Sequence, residues 1–136
     1  MVHSVMHAPP VTIDPSATVQ EAARVMRLRH VGCILATSAG VPIGIITESD
    51  LTELVARGRD PTQVRVRDVM SGPVVTIPAT VQLEDAAALM KMRRIKRLAV
   101  VVGTDVRGVV TARDLAYALP DSKYRFMQAI RQRWVD

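Results

Sequence analysis

The sequence is poor in features that mark secreted or membrane proteins. Aromatic residues make up only 3% of its 136 residues, so any core must be built from aliphatic side chains. Cys33 is the single cysteine, which excludes an intramolecular disulfide. No apolar run approaches the ~18 residues that a membrane-spanning helix needs, and residues 1–10 lack the basic-then-apolar order of a signal peptide. We therefore expect a cytoplasmic protein without a membrane segment.

Signatures of catalysis and metal binding are also missing. Gly44 and Gly108 are single glycines rather than parts of a phosphate-binding loop. Cys33 lies in an apolar stretch and is interpreted as a small buried residue. His3 and His7 have the i, i+4 spacing of metal ligands on a helix, but a pair of prolines follows at once and no carboxylate or cysteine accompanies them. We expect no enzyme, no metal site and no required cofactor.

Charge is distributed unevenly along the chain. Basic and acidic side chains balance in residues 1–68, so the whole net charge of +5 comes from residues 69–136. Such a surface favours anionic partners, which include nucleotide phosphates, nucleic acid and anionic lipid. The basic run at 91–97 is either a solvated helix face or a nucleic-acid patch. Because it lacks interleaved aromatics and a helix-turn-helix signal, nucleic-acid binding is the minor alternative.

An internal repeat dominates the sequence. Residues 4–13 match 68–77, residues 22–26 match 86–90, and residues 44–50 match 108–114, all at an offset of 64. Each repeat is predicted to form β-α-β-β-α, which gives an α/β fold. A repeat of this length is marginal alone, so we expect the two to pack together with pseudo-two-fold symmetry.

Hydrophobic periodicity and turn residues set the expected elements. Thr18 is the predicted N-cap of the first helix, and Gly58 is predicted to end the second. The predicted strands are 11–13, 33–37, 41–46, 74–77, 98–102 and 106–110. The predicted helices are 20–30, 48–57, 83–93 and 112–119. A further amphipathic helix at 122–134 is expected to pack on its own domain or on a partner subunit.

The best candidate for a site is the motif that closes each repeat. Thr47 and Asp50, and again Thr111 and Asp114, stand three residues apart where an apolar strand turns into a helix. This spacing is typical of a capping box, in which the Thr accepts an amide hydrogen bond and the acid faces back to the N-cap amide. A carboxylate and a hydroxyl also suit a ribose diol, and a helix N-terminus suits phosphate. The two interpretations agree on Thr and compete for Asp.

These motifs, with the segment Asp68–Ile77 and the helices that end in Met26 and Met90, resemble a tandem pair of cystathionine-β-synthase (CBS) domains. Such a pair is often called a Bateman module. The resemblance covers about residues 4–120, and we assign residues 1–64 to CBS motif 1, 65–120 to CBS motif 2 and 121–136 to the C-terminal helix. It implies an α+β-type fold, a homodimer, and a regulatory module that binds AMP, ADP, ATP or S-adenosylmethionine in clefts between the repeats.

The resemblance also implies roles for individual residues. Ribose would be held by Asp114 and Asp50 with Thr111 and Thr47, the base would be bordered by Thr76, Thr12, Ile95 and Val31, and phosphate would be reached by Arg113 and Arg97. Ser49 stands where the second repeat has Arg113, so we expect the Asp114 site to bind nucleotide better than the Asp50 site. The alternative is a structural or interaction module without ligand, in which Asp50 and Asp114 act only as helix caps.

Overall fold

A computed structural model describes residues 1–119, and the predicted helix at 122–134 lies outside them. The chain forms two compact units. The first unit is Pro10–Val74, and the second unit combines Met1–Pro9 with the described residues from Val75 to Leu119. The opening residues of each sequence repeat therefore belong to the unit that contains the rest of the other repeat.

The first unit is a three-stranded sheet with three helices. Its elements are β1 (Thr12–Ile13), α1 (Val19–Arg29), β2 (Cys33–Ser38), β3 (Val41–Thr47), α2 (Glu48–Ala56) and α3 (Val66–Val69). The strand order is β1-β2-β3, with β1 parallel to β2 and β2 antiparallel to β3. The α1 helix is the crossover that a parallel pair requires.

The second unit repeats this arrangement. Its elements are β4 (Thr76–Pro78), α4 (Leu83–Arg93), β5 (Arg97–Val102), β6 (Asp105–Thr111) and α5 (Ala112–Ala118), with a short 3-10 helix at Val2–Ser4. The order β4-β5-β6 has the same parallel and antiparallel pairings. Both antiparallel pairs carry a register shift at equivalent positions, Ala36/Thr37 and Val100/Val101.

The predicted β-α-β-β-α order and the mixed fold class are confirmed. Two differences have local causes. The strand predicted at 74–77 begins at Thr76, because its hydrogen bonding to β5 starts only at Val75. The Val75 carbonyl accepts from the Ala99 amide at 3.0 Å. The helix α3 was not predicted, since its four residues are too few to show a helical period.

Helix ends follow the capping rules that the sequence indicated. The Thr18 hydroxyl accepts from the Glu21 amide at 3.1 Å, and the Glu21 carboxylate accepts from the Thr18 amide at 3.3 Å, which completes a capping box. Gly58 adopts a φ of +70° just beyond α2, as expected of a C-terminal glycine. The predicted N-cap and helix-ending glycine are both confirmed.

Each unit has its own aliphatic core. In the first, α1 packs Val19, Ala22 and Met26 against Ile34 and Ile46 of the sheet. The second contains the fully buried side chains of Val2, Met90, Leu98, Val110 and Leu115. Full burial of one such side chain contributes about 1.5–3 kcal/mol. No helix among residues 1–119 has both the length and the apolar character to cross a membrane.

Residues 2–9 and residues 66–73 are here called the entry segments. The segment 66–73 contributes to the core of the first unit, and the segment 2–9 contributes to the core of the second. Val2 and Val66 occupy equivalent repeat positions, and neither side chain is exposed. The Val2 amide donates to the Val81 carbonyl at 2.9 Å, and the Val66 amide donates to the Ala17 carbonyl at 2.8 Å. Because of these contacts, each entry segment is an integral part of its compact unit.

Candidate ligand-binding site

The first Thr–Asp motif lies where β3 turns into α2. Thr47 has extended backbone, and the next residue opens the helix. One carboxylate oxygen of Asp50, Oδ2, accepts from the Thr47 amide at 2.8 Å and from the Thr47 hydroxyl at 3.2 Å. These bonds fix the carboxylate against the strand end. The predicted helix-cap role of Asp50 is therefore confirmed.

The second motif has nearly the same geometry between β6 and α5. Asp114 Oδ2 accepts from the Thr111 amide at 2.8 Å, and the Asp114 amide donates to the Thr111 hydroxyl at 3.2 Å. Capping engages Oδ2 of each aspartate and none of the capping bonds involves Oδ1. The capping bonds therefore leave one oxygen of each carboxylate outside them, and the ligand role of each Asp stays a prediction.

At each helix start, where the sequence predicts a phosphate site, the first amide is engaged within the protein. The first amide of α2, at Glu48, donates to the Gly32 carbonyl at 3.1 Å, and the first amide of α5, at Ala112, donates to the Lys96 carbonyl at 2.8 Å. These amides are already paired, because the segment before the second strand of each repeat passes close to the helix start. They are not free donors for a phosphate.

His7 contacts the second carboxylate and was not predicted as a site residue. Its Nε2 lies 2.9 Å from Asp114 Oδ1, with 68% of the His7 side chain exposed against 16% for Asp114. In the sequence, the spacing of His7 from His3 suggests only a metal-ligand role. Among residues 1–119 no group of three or more potential metal ligands occurs. The repeat could have drawn attention to His7, because it aligns His7 with Ser71, a different type of residue.

Close backbone approach explains the glycine of each motif. His7 and Val109 exchange two backbone hydrogen bonds at 2.8 and 3.0 Å, and Ser71 and Ile45 exchange two at 2.9 Å. A Cβ added at Gly108 would lie 2.6 Å from the His7 carbonyl oxygen. The entry segment at residues 2–9 therefore lies against β6 because Gly108 has no side chain, whereas a Cβ at Gly44 would meet the Met70 side chain.

The other predicted site residues lie at different distances from the Thr–Asp motifs. Arg97 pairs directly with Thr111 across β5 and β6, so it lies at the strand end that carries Asp114. Ile95 is half-buried just before β5 and Val31 just before β2, each donating its amide to the end of the preceding helix. Thr12 and Thr76 are exposed on β1 and β4, two strands away from their motifs.

Two arginines of the second unit have distinct surroundings. The Nε of Arg97 is buried and has no hydrogen-bond partner among the described residues. A buried donor without a partner is costly, so this atom suits an anionic acceptor. The Arg113 guanidinium lies 5.6 Å from the centre of the Tyr117 ring, a cation–π contact that the i, i+4 spacing permits. Tyr117 was not among the predicted site residues.

A cavity of about 180 Å³ lies beside Asp50 in the first unit. Its lining residues are Asp50, Glu53, Leu54, Arg57, Arg59 and Val69. Arg57 is paired with Glu53 at 2.8 Å, so it is already partly neutralised. Ligand pockets usually span ~300–1,000 Å³, so this cavity alone accommodates only part of a nucleotide. The greater affinity expected at Asp114 stays a prediction.

Comparison with known proteins places this geometry in a family. The model described as "CBS domain" matches twice, at residues 2–57 and 66–121. The chain belongs to the CBS domain family. It is 39% identical over 106 residues to CBS domain-containing protein YhcV of Bacillus subtilis, covering 77% of this chain and 75% of that protein. It is 35% identical over 113 residues to protein MK0525 of Methanopyrus kandleri, covering 81% of this chain and 58% of that protein.

Solved CBS structures share the fold. CBS domain protein PAE2072 from Pyrobaculum aerophilum, complexed with AMP, has a TM-score of 0.78 and 23% identity, covering 90% of this chain and 97% of that one. The CBS domain pair of protein MJ0100, in complex with 5′-methylthioadenosine and S-adenosyl-L-methionine, has a TM-score of 0.79 and 22% identity, covering 90% and 98%. At these identities the likeness shows the fold.

The two CBS repeats share a backbone but differ in side chains around the aspartate. The second unit places His7, Arg97 and Arg113 where the first unit has Ser71, Cys33 and Ser49. Every one of these differences adds a nitrogen donor near Asp114. The basic run at 91–97 is not a single helix face, because only 91–93 belong to α4 while Arg94 ends the helix with a φ of 56° and Arg97 begins β5.

Proposed function

We propose that this chain is a regulatory, non-catalytic module that binds an adenosyl compound, such as AMP, ADP, ATP or S-adenosylmethionine, at Asp50 and Asp114. The observation that carries the proposal is the pair of equivalent carboxylates, each fixed by its capping box at a strand end. A fixed carboxylate needs little further ordering when it accepts hydrogen bonds from the two hydroxyls of a ribose. The AMP and S-adenosylmethionine complexes of proteins with this fold support the choice of ligand.

Phosphate recognition is proposed mainly for the second repeat. Arg97 and Arg113 supply cationic donors there, and the unpaired Nε of Arg97 supports an anionic acceptor nearby. Thr76 and Ile95 would border the base in the same repeat, with Thr12 and Val31 in their equivalent places in the other. We further propose that the module is a homodimer, that it acts on a regulated protein partner, and that its location is cytoplasmic.

The experiment separates ligand binding from capping with two matched variants. Asp114→Ala removes both the cap of α5 and the proposed ribose acceptor. Glu21→Ala removes the corresponding acid of the α1 capping box, which lies outside the proposed site. Thermal unfolding is recorded with and without AMP, ATP or S-adenosylmethionine, since a ligand at a hundredfold its Kd adds about 2.7 kcal/mol to the folded state.

We expect both variants to lower the melting temperature of the free protein. Only Glu21→Ala should retain the full ligand-induced rise, whereas Asp114→Ala should lose much of it. A wild-type protein that no adenosyl compound stabilises would contradict the proposal. It would instead support the ligand-free interaction module, in which capping accounts for both aspartates.

A further inference from the structure

We propose that His7 lowers the ligand affinity of the Asp114 site: its imidazole occupies Asp114 Oδ1 in the free protein and must leave when a ribose binds. The inference rests on the proposed function, because it assumes that Asp114 is the ribose acceptor. His7 would then be an intramolecular competitor at Asp114, and its effect opposes the greater affinity expected there from Arg97 and Arg113. His7 lies 107 positions away from Asp114 in the sequence.

The backbone around His7 is fixed. Two hydrogen bonds to Val109 hold its main chain against β6, and Gly108 leaves room for its carbonyl group. Two positions earlier in the entry segment, Val5 packs against the same core that buries Val2 completely. The imidazole is therefore held close to Asp114 by a backbone segment that is fixed in the unit.

In the contact between His7 and Asp114, only the His7 side chain is free to move away. Asp114 is held through Oδ2 by the Thr111 amide, so its carboxylate cannot turn without losing the helix cap. The His7 side chain is 68% exposed and has its Nε2 contact with Asp114 as its one hydrogen bond among the described residues. Rotation of the imidazole into water sacrifices little packing, so the ribose hydroxyls replace the imidazole at Oδ1.

The first unit provides an internal comparison. Ser71 makes the same pair of backbone hydrogen bonds, to Ile45. The hydrogen bonds of the Asp50 side chain in the described part of the chain all come from Thr47, and none comes from Ser71. The same scaffold therefore presents a competing imidazole to one aspartate and a short hydroxyl that does not reach the other.

The size of the effect follows from the exposure of His7. Exposed pairs of this kind are weak, and freeing the carboxylate should raise affinity about two- to fivefold. The change is opposite in sign to that of an ordinary binding residue, whose removal lowers affinity. The sign therefore distinguishes a competitor from a residue that contacts the ligand favourably.

The test uses the full chain with Asp50→Ala, so that only the second site reports, and AMP as the probe in calorimetry. We expect His7→Ser and His7→Ala to bind AMP about two- to fivefold more tightly than the parent. His3→Ser is the matched control, because His3 lies in the same segment but bonds to the Ala79 carbonyl. It should leave the affinity unchanged. Unchanged or weakened binding in both His7 variants overturns the proposal.

A second readout follows the imidazole directly. The ring proton resonances of His3, His7 and His30 are recorded by NMR, and Asp114→Asn should shift the His7 signal much more than the other two. Saturation with AMP should also shift the His7 signal. If AMP binds and the His7 signal does not move, the competitor role fails while the proposed function stands. If no adenosyl compound binds any variant, both fail.

Discussion

Asp50 and Asp114 show how one short side chain serves two purposes. Oδ2 of each closes a capping box with the threonine three residues earlier, and this bond also fixes the direction of the carboxylate. A capping role is therefore no argument against a ligand role. The two aspartates differ instead in what contacts Oδ1, because His7 contacts Oδ1 of Asp114 in the second unit.

Gly108 also leads to a prediction about a single residue. Gly108→Ala should lower the free energy of unfolding by about 1–3 kcal/mol, since the new Cβ would lie 2.6 Å from the carbonyl oxygen of His7, a backbone atom that cannot move alone. The equivalent Gly44→Ala meets mainly the Met70 side chain, which is flexible. We expect it to cost less than Gly108→Ala. Urea denaturation of the two variants checks the order, and equal losses would contradict it.

At the scale of elements, the entry segments are as important as the repeat helices. Residues 2–9 contribute a fully buried valine to the second unit and a backbone bridge to β6. Residues 66–73 make the equivalent contributions to the first unit. Both entry segments are thus parts of a core.

Removing one buried side chain from the entry segment should show this. Val2→Ala should reduce the free energy of unfolding by about 2 kcal/mol, because it deletes two buried methyl groups from the second core. Val55→Ala is the control, since Val55 is 70% exposed on α2, and a change within about 0.5 kcal/mol is expected. Chemical denaturation measures both. A Val2 variant as stable as the control would show that the entry segment is not integral.

Elements were predictable where the signal is local. The order of strands and helices follows from apolar runs and from markers such as Thr18 and Gly58, and the Thr–Asp caps follow from a three-residue spacing. The contact of His7 with Asp114 was not predictable, because it depends on an entry segment joining the sheet of the other repeat. Arg113 and Tyr117 are four residues apart on α5, so that contact was within reach of helical periodicity.

At the scale of the whole molecule, the proposed homodimer can be tested at two exposed apolar side chains. Leu28 on α1 and Met92 on α4 occupy equivalent positions, and they are 77% and 73% exposed. Light scattering should give twice the chain mass of 14.9 kDa for the wild type. The double variant Leu28→Glu with Met92→Glu should shift the mass toward one chain, because charge is unfavourable in an apolar interface.

The control for assembly is Val41→Glu, a variant of another exposed apolar residue, which lies in β3. It should leave the mass at that of two chains. A wild-type protein with the mass of one chain would exclude the homodimer. A double variant that remains dimeric would place the interface elsewhere.

The central claim is that Asp50 and Asp114 accept the ribose hydroxyls of an adenosyl ligand. The most direct measurement is a calorimetric titration with AMP and with 2′-deoxy-AMP, which lacks one of those hydroxyls. Because a hydrogen bond to a charged group contributes about 1.5–3 kcal/mol, we expect the deoxy compound to bind about tenfold or more weakly. The difference should vanish in the Asp50→Ala, Asp114→Ala double variant. Equal affinities of the wild type for the two nucleotides, or no binding of AMP, would contradict the account.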